Sequence, residues 1–406
     1  MDASAQSILT FNAGSSSLRF AVFDADCVRS LEGKFERIGR PEARLILNGE
    51  EFPRALTLTT HVDCLPVLYQ LIEEHGAGAP AVISHRVVHG GPDHFDTTAV
   101  TPELLEELRA IKSFAPNHLP AAITLMEAAV ARWPNAPQIA CFDTAFHRDL
   151  PMAARLLPLP RRYAAQGIRR YGFHGLAFSS VLAELQHRTG GRIPSRLILA
   201  HLGHGCSLAA LRNGRCMDTT MGFTPVSGLV MSTRTGDIDP GVLTFLAARE
   251  GYSPAALEKL VSRQSGLLGL SDISSDTREL LEKEATEQGA AEALAVFVHQ
   301  ARKAIGACTA TLGGVDSIVF SGGIGENSVA LRARLCAHFE YLDLILDPAL
   351  NAANAPIISD AASRVTVYVI PADEESALAT SARSFLTGEA SSYRPPPVDQ
   401  RKTISL

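Results

Sequence analysis

Alternating apolar and polar positions predict a β-hairpin near the start of the chain. Residues 7–12 alternate in this way, and a second apolar segment spans residues 18–23. Between them lies the sequence AGSSS, whose glycine and three serine hydroxyls are typical of a hairpin turn. Further strands are predicted at residues 28–35 and 45–47. The first part of the chain is therefore expected to be rich in strands.

The rest of the chain alternates between helical and strand-like patterns. Apolar residues spaced by three and four predict helices at residues 62–74, 102–111, 119–132, 241–249, 254–262 and 290–312, with another ending at residue 187 and a last one ending near residue 386. Short apolar runs predict strands at residues 81–84, 138–142, 196–202, 206–211, 316–320 and 364–370. Strands that alternate with helices favour an α/β fold.

Two of the predicted strand pairs have similar sequences. The segments ILTFNAGSSSLRFAV and LILAHLGHGCSLAAL both contain a strand, a glycine-containing polar turn, a Ser-Leu pair and a second strand. They lie roughly half a chain apart. This similarity predicts that one structural unit is used twice.

Composition and charge narrow the class of protein. The chain has 406 residues, which suggests two or three domains, and 46% hydrophobic with 20% charged residues is a globular mixture. The net charge of -6 leaves no basic surface of the kind that nucleic-acid binding requires. Any phosphate that this protein binds is therefore expected on a small molecule.

The cysteines and the N-terminal segment indicate where the protein works. Seven cysteines are scattered without a CxxC pair or zinc-finger spacing, which predicts free, mostly buried thiols in a reducing compartment. The first residues, MDASAQSILTF, lack the pattern of a secretory signal, and no apolar run has the length of a membrane span. We expect a cytoplasmic protein that binds neither membranes nor nucleic acids.

Polar side chains recur where predicted strands end, and they suggest one shared site. The residues concerned are Asn12, Arg86, Asp143, His201, Gly322 and Glu374. Ligands of open α/β sheets bind beyond the carboxyl ends of the strands. Glycines let backbone N–H groups approach phosphate, arginines neutralise phosphoryl charge, and carboxylate and amide oxygens suit Mg²⁺. The chain contains no GxxxxGK[ST] motif. GGIGEN at residues 322–327 lacks the spacing of a dinucleotide fingerprint and is predicted instead as a nucleotide-contacting glycine turn between a strand and a helix.

The segment SGLVMSTRTGDIDPG, residues 227–241, presents one arginine in a short polar loop. Arg234 lies between an apolar run and the sequence DPG, which predicts the start of a helix. A planar guanidinium in such a loop grips a carboxylate or a phosphate with two parallel hydrogen bonds. A solvated arginine in a surface turn is the alternative.

The motifs in this chain resemble those of the acetate kinase family. They occur in family order from about residue 8 to residue 386: FNAGSSSLRF, HRVVHGG, FDTAFH, RYGFHG, HLGHG, MGFTP, TRTGDIDPG, SGLLG, SSDTRE, FSGGIGENS and PADEE. The resemblance implies membership of the acetate and sugar kinase, heat-shock and actin superfamily. It also implies an α/β protein with two duplicated actin-like (ribonuclease H-like) domains, a nucleotide cleft between them, and a homodimer.

The resemblance sets the expected domain boundaries. Residues 1–148 with 374–390 would form the N-terminal actin-like domain, so that the C-terminal helix returns to it. Residues 149–373 would form the nucleotide-binding domain. The Pro-rich segment 391–406 would be a loose tail.

The resemblance also implies a reaction. The γ-phosphoryl group of ATP would pass reversibly to acetate, giving acetyl phosphate and ADP, by direct in-line attack of the carboxylate. Because the acid is already ionised at neutral pH, no strong general base is required. The alternatives are a kinase for propionate or another short carboxylate, one with an atypical phosphoryl donor, and an actin-like nucleotide-binding module that transfers nothing to small acids.

Four residues match the family's catalytic positions. Arg86 and Arg234 match the pair that holds acetate and the transferring phosphoryl group. His174 resembles the histidine that stabilises this group, and Asp143 the carboxylate that orients the site. The alternatives are an ordinary ion pair for the arginines, a core histidine for His174 and a helix cap for Asp143.

Two residues match the metal site, and two histidines match supporting positions. Asn12 and Glu374 match residues that place Mg²⁺, with Mn²⁺ as an alternative ion, either directly or through water. Glu375 is a competing candidate, and acidic residues are also favoured in the first turn of any helix. His118 and His201 match the supporting histidines.

The remaining matches concern nucleotide and substrate. The phosphate- and ATP-binding positions are Ser15, Ser17, Arg19, Gly203, His204, Gly205, Asp276, Arg278, Gly322, Gly323, Ile324 and Asn327. Asp276 and Arg278 match an adenosine-side pair, for which an exposed ion pair at a helix start is the alternative. The substrate pocket would be formed by Arg86, Val88, Asn117, Phe173 and Pro225.

Several positions depart from the family pattern. Leu176, Ala177 and Phe178 replace the usual Thr-Ser-His, and Ser227 and Ser232 also differ. Three further departures concern the predicted site. Arg19 replaces a lysine, so the charge is kept but a planar fork replaces a point donor. His204 replaces an asparagine in a phosphate loop and adds a titratable donor. Asn117 replaces an apolar wall of the acetate pocket, and an amide there would weaken acetate binding or admit a more polar acid. If Asn117 lines the pocket, Asn117→Leu is expected to improve the use of acetate.

Overall fold

The computed structural model describes residues 7–14, 16–52, 56–76 and 78–388. Ser15 and the segment 391–406, for which the sequence made predictions, lie outside the described residues. The described chain forms two β-sheets, of eight and five strands, each covered by helices. We call each sheet with its helices a lobe.

The eight-stranded sheet of the first lobe has the strand order β5-β4-β3-β2-β1-β6-β8-β7. Its strands are β1 (Ile8–Ala13), β2 (Ser17–Phe23), β3 (Arg29–Glu36), β4 (Arg44–Leu47), β5 (Glu50–Glu51), β6 (Val82–Val87), β7 (Thr98–Ala99) and β8 (Gln138–Phe142). β1 is antiparallel to β2 and parallel to β6, and β6 is parallel to β8. The carboxyl ends of β1, β6 and β8 therefore meet at one edge of the sheet.

The five-stranded sheet of the second lobe has the order β11-β10-β9-β12-β13. Its strands are β9 (Arg196–Leu202), β10 (Cys206–Arg212), β11 (Arg215–Thr219), β12 (Ser317–Ser321) and β13 (Thr366–Val369). β9 is antiparallel to β10 and parallel to β12, which repeats the pairing of β1 with β2 and β6. The hairpins predicted from the two similar sequence segments thus occupy equivalent places in the two sheets.

Fifteen helices are found in the described residues. They are α1 (Cys64–Glu74), α2 (Pro102–Ala110), α3 (Leu119–Arg132), α4 (Met152–Arg155), α5 (Arg161–Ala165), α6 (Gly175–Arg188), α7 (Pro240–Glu250), α8 (Pro254–Arg263), α9 (Gly266–Ser271), α10 (Thr277–Lys283), α11 (Gln288–Leu312), α12 (Gly322–Asn327), α13 (Val329–Cys336), α14 (Pro348–Ala352) and α15 (Glu374–Thr387). Short 3₁₀ helices form at His61–Asp63, Lys112–Phe114, Asp143–His147 and Glu340–Leu342.

Several helices begin where the sequence supplies a capping side chain followed by proline. Thr101 accepts a hydrogen bond from the backbone N–H of Leu104 at the start of α2. Asp239 does the same for Gly241 at the start of α7, as the DPG sequence predicted, and Ser253 caps α8. Such caps satisfy N–H groups that have no partner inside the helix, and the fixed φ of proline suits the first helical position.

Each lobe has its own apolar core. In the first lobe, Phe11 and Phe20 of the sheet pack with Leu68 of α1 and Trp133. In the second lobe, α11 lies against β9 and β10 and buries residues such as Phe297. Each fully buried large apolar side chain contributes roughly 1.5–3 kcal/mol to stability, so these two cores hold the facing edges of the sheets in place.

The last helix returns to the first sheet. Leu378, Ala379 and Ala382 of α15 are buried against Ile8 of β1 and Val82 of β6. Small residues at two of these positions let the helix approach the sheet closely. The start of α15, with its two glutamates, is thereby placed at the carboxyl edge of β1 and β6.

Two sequence predictions need correction. The strand predicted to end at residue 84 continues to Val87, so Arg86 lies within β6, where Asp143 and Asn12 bind its guanidinium. The segment Gly322–Asn327, predicted as a turn, is itself the helix α12. Helical geometry is possible there because Glu326 accepts a hydrogen bond from the first N–H of this helix, at Gly322.

The described residues also test the predictions about thiols and membrane spans. All seven cysteines are free, and all except Cys27 are buried. Burial raises the pKa of the thiols of Cys64, Cys206, Cys308 and Cys336 to about 12, so they are protonated at neutral pH. Within the described part of the chain, no helix combines the length and the apolarity needed to cross a membrane.

Candidate active site

Arg86 is the centre of a polar network at the carboxyl edge of the first sheet. Its Nε and Nη2 donate to Oδ2 of Asp143 at 3.0 and 2.7 Å, and its Nη1 donates to Oδ1 of Asn12 at 2.9 Å. Nη1 also lies 3.4 Å from Oε2 of Glu374. Although burial opposes its charge, these acidic neighbours raise the pKa of Arg86 above its ordinary value, so it stays cationic. Three of the residues predicted for catalysis and metal binding therefore contact Arg86 directly.

Asn12 connects this network to the last helix. Its Nδ2 donates to Oε2 of Glu374 at 2.7 Å and to Oε1 of Glu375 at 3.0 Å. Burial works to raise the pKa of Glu374, but Arg86 and the other nearby donors outweigh it and lower this pKa below its ordinary value. Burial raises the pKa of Glu375, and the charge of Glu374 adds to the effect. The pKa values of the two adjacent glutamates are therefore shifted in opposite directions, and Glu374 is the one held ionised.

The oxygen atoms of this network fit a hard divalent ion that keeps most of its water. The described residues contain no group of three or more His, Cys, Asp or Glu side chains arranged to enclose a metal. One ionised carboxylate, from Glu374, beside the amide of Asn12 is instead the kind of sparse oxygen set that Mg²⁺ uses when substrate phosphates and water complete its shell. The residues present thus fit Mg²⁺ without forming a closed protein cage.

His174 lies on the second lobe's side of the cleft and is held by a hydroxyl. It precedes α6 in a left-handed conformation, with φ of 59°. Its Nδ1 lies 2.8 Å from Oγ of the fully buried Ser207 in β10. Its other nitrogen, Nε2, faces the turn between β9 and β10, because a Cβ on Gly205 would lie 3.0 Å from it. Burial lowers the pKa of His174 well below its ordinary value, as do the nearby His201 and Arg86, so the imidazole is neutral.

Arg234 approaches the same turn from another direction. Its Nη1 donates to the carbonyl oxygen of Pro225 at 2.9 Å and lies 3.4 Å from the position that a Cβ on Gly205 would take. Burial lowers the pKa of Arg234, and the positive charge of Arg86 lowers it further. Arg234 and His174 therefore converge at Gly205, within electrostatic reach of Arg86.

The two supporting histidines lie beside these groups. The ring of His201 is 4.7 Å from that of His174, and its Nδ1 is 3.3 Å from Oγ of Ser321. His118 has its pKa lowered to about 3 by burial and by both Arg234 and Arg86. His118 is therefore neutral at pH 7.

The turn between β9 and β10 lies against the first residues of α12, and we refer to these two glycine-containing segments as the glycine turns. The N–H of Gly203 donates to the carbonyl oxygen of Gly205 at 3.0 Å, and a Cβ on Gly203 would lie 3.7 Å from the backbone nitrogen of Gly323. Gly322 has φ of +75°, and a Cβ there would lie 2.7 Å from the carbonyl oxygen of Leu202. The N–H groups of Gly203 and Gly322 already have partners, whereas a Cβ on Gly323 would have no atom within 4 Å. The backbone at Gly323 is therefore accessible to phosphate.

The predicted substrate pocket is only partly assembled as expected. Val88 and Phe173 are both buried in one apolar cluster, and the backbone of Pro225 binds Arg234. The side chain of Asn117 differs from the expectation of a pocket wall. Its Nδ2 donates to Oε1 of Glu258 at 2.8 Å, and its Oδ1 accepts a hydrogen bond from Arg263. The amide is therefore engaged by α8.

The other predicted nucleotide residues have varied surroundings. Asp276 caps α10 and pairs with Arg278, whose side chain is 85% exposed, so this pair has the geometry of the ion pair considered as the alternative. Burial and the positive charge of Arg234 lower the pKa of His204, and the negative charge of Asp276 partly offsets this effect. Asn327 is exposed and donates to the carbonyl oxygen of Gly323 within α12. Ser17 and the exposed Arg19 lie on β2, opposite β1, and Ile324 is half-buried in α12.

Sequence reasoning missed the residues that hold the functional side chains. Ser207 and Ser321 support His174 and His201. Glu326 accepts hydrogen bonds from the N–H groups of Gly322 and Ala372, which ties α12 to the segment before α15. The position of Ser207 only two residues after Gly205 was the one local signal for its role.

The fold and the site together define a phosphotransferase of the two-lobed actin-like class. Glycine turns suited to phosphate, two arginines and a sparse oxygen site for a divalent ion lie at the carboxyl edge of the first sheet and at the β9–β10 turn of the second. Such groups stabilise a phosphoryl group in transfer by charge and position.

Comparisons with known proteins identify the family. The sequence profile of the acetokinase family matches residues 7–380. The chain is 40% identical to an acetate kinase from Nitrobacter hamburgensis over 397 residues, 95% of this chain and 98% of that one. It is also 40% identical to a propionate kinase from Citrobacter rodentium over 380 residues, 91% of this chain and 94% of that one.

A solved structure agrees with these sequence matches. The crystal structure of a propionate kinase from Francisella tularensis superposes with a TM-score of 0.88 at 30% identity, and the match covers 93% of this chain and 99% of that one. The chain therefore belongs to the acetokinase family. It is a kinase that acts on a carboxylate.

Proposed function

We propose that this enzyme reversibly transfers the γ-phosphoryl group of ATP to acetate, giving acetyl phosphate and ADP. The observation that carries the proposal is the convergence of Arg234 and His174 at Gly205, within electrostatic reach of Arg86. Arg86 and Arg234, which belong to different lobes, then both act on the space at Gly205, beside the neutral His174. This arrangement suits a phosphoryl group passing between two anionic partners.

The chemistry requires little proton transfer. The carboxylate is ionised at neutral pH, so its oxygen attacks the γ-phosphorus in line without a general base. Arg86 and Arg234 neutralise the charge of the carboxylate and of the equatorial phosphoryl oxygens. Asp143, which binds Nε and Nη2 of Arg86, fixes the direction of that guanidinium. Neutral His174 donates from Nε2 to a phosphoryl oxygen.

The metal would be held beside Arg86. Asn12 and Glu374 would hold Mg²⁺, or Mn²⁺ in its place, largely through water, and the ion would neutralise charge on the nucleotide phosphates. Glu375 also accepts a hydrogen bond from Nδ2 of Asn12 and so helps to fix the side chain of Asn12. The glycine turns at Gly203–Gly205 and Gly322–Gly323 would bind the phosphates, with His204 and Asp276 towards the adenosine side.

Propionate is the second candidate acceptor. Relatives at 40% identity include both an acetate kinase and a propionate kinase. Val88 and Phe173 would contact the methyl group of either acid. Turnover with acetate, propionate, butyrate and glycolate, each tested with ATP, GTP and pyrophosphate and followed by a hydroxamate assay for acyl phosphate, separates the two. We expect acetate with ATP to give the highest kcat/KM.

We propose a homodimer that associates through α7. This eleven-residue helix contains no buried residue, and Val242 and Phe245 are 46% and 56% exposed on it. An apolar helix with an uncovered face suits a second copy of the same chain. Phe245→Glu is expected to shift the mass measured by light scattering from dimer to monomer, whereas Tyr341→Glu, at an exposed site outside α7, leaves it unchanged.

We also propose the lobe boundaries and the location of the enzyme. Residues 1–148 with 374–390 would form one lobe and residues 149–373 the other, which is supported by the packing of α15 on β1 and β6. The free thiols support a cytoplasmic location.

Replacement of Arg234 tests the assignment of the reaction centre. Arg234→Ala is expected to lower kcat by about 10³, the lower end of the range for an arginine that stabilises a transferring phosphoryl group. The unfolding midpoint and the circular dichroism spectrum serve as checks of the fold. Arg161→Ala, on the exposed surface of α5, is the matched control. A folded Arg234→Ala enzyme with full activity would contradict the proposal.

A further inference from the structure

Asn117 joins the two lobes through its side-chain amide. It lies just before α3, in the part of the chain that belongs to the first sheet, and next to His118. Its Nδ2 donates to Glu258 at 2.8 Å and its Oδ1 accepts from Arg263. Both partners lie on α8, in the segment between β11 and β12 of the second sheet. We call these three side chains the clasp.

The end of α8 that carries Arg263 also holds the loop of Arg234. The N–H of Thr235 donates to the carbonyl oxygen of Val261 at 3.0 Å, and Oγ1 of Thr233 donates to that of Ser262 at 3.1 Å. The N–H of Ser265 donates back to the carbonyl oxygen of Thr233 at 3.1 Å. The residues on both sides of Arg234 are therefore fixed by the last turn of α8 and the residue pair after it.

The start of α9 completes this support. Gly266 has φ of +63°, and a Cβ there would lie 2.2 Å from the carbonyl oxygen of Met231 and 2.8 Å from the backbone nitrogen of Arg234. The backbone of the loop thus lies directly against the α8–α9 junction. A displacement of α8 is transmitted to Arg234, because no space remains to absorb it.

We infer that Asn117 is a positioning residue for phosphoryl transfer: the clasp fixes α8 against the first lobe, and α8 in turn fixes the Arg234 loop over the reaction centre. The bonded chain runs from Asn117 through Arg263 and Val261 to Thr235, the neighbour of Arg234. The inference rests on the role proposed for Arg234. It gives Asn117 a function other than that of a pocket wall.

The chemistry of the amide explains why this position carries asparagine. The clasp needs a donor towards Glu258 and an acceptor towards Arg263 on one short side chain, and an amide supplies both. Leucine supplies neither and leaves two charged groups without this partner. Aspartate keeps the acceptor but turns a second carboxylate towards Glu258.

A double-mutant cycle on the full-length enzyme tests the inference. Arg263→Met is expected to lower kcat about tenfold, the loss of one hydrogen bond to a charged group, and Asn117→Leu, which also loses the bond to Glu258, at least about tenfold. The double variant is expected to lose no more than Asn117→Leu alone, because both changes open the same clasp. The KM for ATP stays within about twofold in all three, since α8 holds the loop of Arg234 and not the glycine turns.

The controls separate the clasp from general effects. Lys259→Met removes an exposed charge from the same helix and is expected to leave kcat unchanged. Glu258→Gln keeps an acceptor for Asn117 and is expected to retain activity, whereas Glu258→Ala behaves like Asn117→Leu. Additive losses in the double variant, or an altered ratio of acetate to propionate turnover in Asn117→Leu with Arg263→Met unaffected, would overturn the inference in favour of a pocket wall.

Hydrogen exchange distinguishes failure of the clasp from failure of the proposed reaction centre. Peptides that cover residues 232–236 and 264–268 are expected to exchange faster in Asn117→Leu and Arg263→Met than in the parent enzyme and in Lys259→Met. Unchanged exchange there would overturn the inference whatever the activity. If Arg234→Ala proves fully active while exchange in these peptides responds to Asn117→Leu, the proposed function is wrong and the clasp stands.

Discussion

At the scale of single residues, the site depends on buried groups whose protonation is set by their neighbours. His174 is kept neutral by burial and by the surrounding positive charges. Nδ1 of His174 lies 2.8 Å from the hydroxyl of Ser207; we assign the hydroxyl as the donor, which leaves the proton of the neutral ring on Nε2, the nitrogen that faces Gly205. The histidine is thereby prepared to donate to an anionic oxygen without itself adding a charge.

Replacement of Ser207 tests this arrangement. Ser207→Ala is expected to lower kcat about tenfold, because the ring loses the hydrogen bond that fixes its orientation and its protonated nitrogen. Combined with His174→Ala, the same change is expected to have no further effect, since Ser207 acts through His174. Steady-state kinetics of the four enzymes measure both. Ser195→Ala, at an exposed serine before β9, is the control. Equal losses with and without His174 would exclude the positioning role.

The sequence identified His174 but not the serine that holds it. The motif around His174 can be recognised in the sequence alone, whereas the partner of Nδ1 depends on how β10 packs beside α6. Asn117 gives the same lesson in a stronger form. Its sequence context indicated a pocket wall, but its partners on α8 are separated from it by 141 and 146 residues.

At the scale of elements, the turn between β9 and β10 brings the functional groups together. Gly205 lies where His174 and Arg234 approach each other, and its lack of a side chain leaves the space that a phosphoryl group would occupy. The hairpins themselves were predictable, because alternation and a glycine-containing turn specify them locally. The strands β5, β7 and β11 were not: β5 and β7 have only two residues each, and β11, RCMDT, shows no alternation of apolar and polar residues.

Gly205→Ala tests the importance of this space. The added methyl group would lie 3.0 Å from Nε2 of His174 and 3.4 Å from Nη1 of Arg234, and we expect kcat to fall by about 10² as these groups are displaced. Stability is expected to change little, because the φ of Gly205 is not in the left-handed region. The assay is kcat with saturating substrates.

A second glycine provides the control for Gly205. Gly306 lies inside α11, and a Cβ there would have no atom within 4 Å. Gly306→Ala is expected to raise the free energy of unfolding by roughly 0.5–1 kcal/mol, as alanine restricts the unfolded chain more than glycine, with activity unchanged. Full activity in Gly205→Ala would mean that the phosphoryl group lies elsewhere.

At the scale of the whole molecule, buried histidines make stability depend on pH. Burial lowers the pKa of His85 and of His147 to about 4. In the unfolded chain the same groups bind protons near pH 6.5. Between about pH 6.5 and 4 the unfolded state therefore binds more protons than the folded state, so stability falls as the pH falls through this range.

Urea unfolding at pH 7.5 and 5.0 measures the effect. Each of the two histidines is expected to cost about 2 kcal/mol of stability at pH 5 relative to pH 7.5. His85→Gln keeps a donor for Gln138 but does not titrate, so the difference between the two pH values is expected to shrink by about this amount. His187→Gln, at an exposed histidine, should leave the difference unaltered. An unchanged difference in His85→Gln would contradict the argument.

The overall architecture was predictable because it is repeated and periodic, whereas the contacts between distant segments of the chain were not. Similar sequences specify the two hairpins, and their shared pairing with a parallel strand follows from one α/β unit used twice. The bonds of Asn12 to Glu374 and of Asn117 to α8 arise only when distant segments meet. No local sequence pattern predicts contacts between distant segments, so only the structure reveals them.

The return of α15 to the first sheet has a consequence for how the enzyme is made. Asn12 and its partner Glu374 lie 362 residues apart, so β1 is synthesised long before the carboxylate that its asparagine binds. A chain truncated before Glu374 would lack one of the two residues proposed to hold the divalent ion, and we expect such unfinished copies to be inactive in phosphoryl transfer.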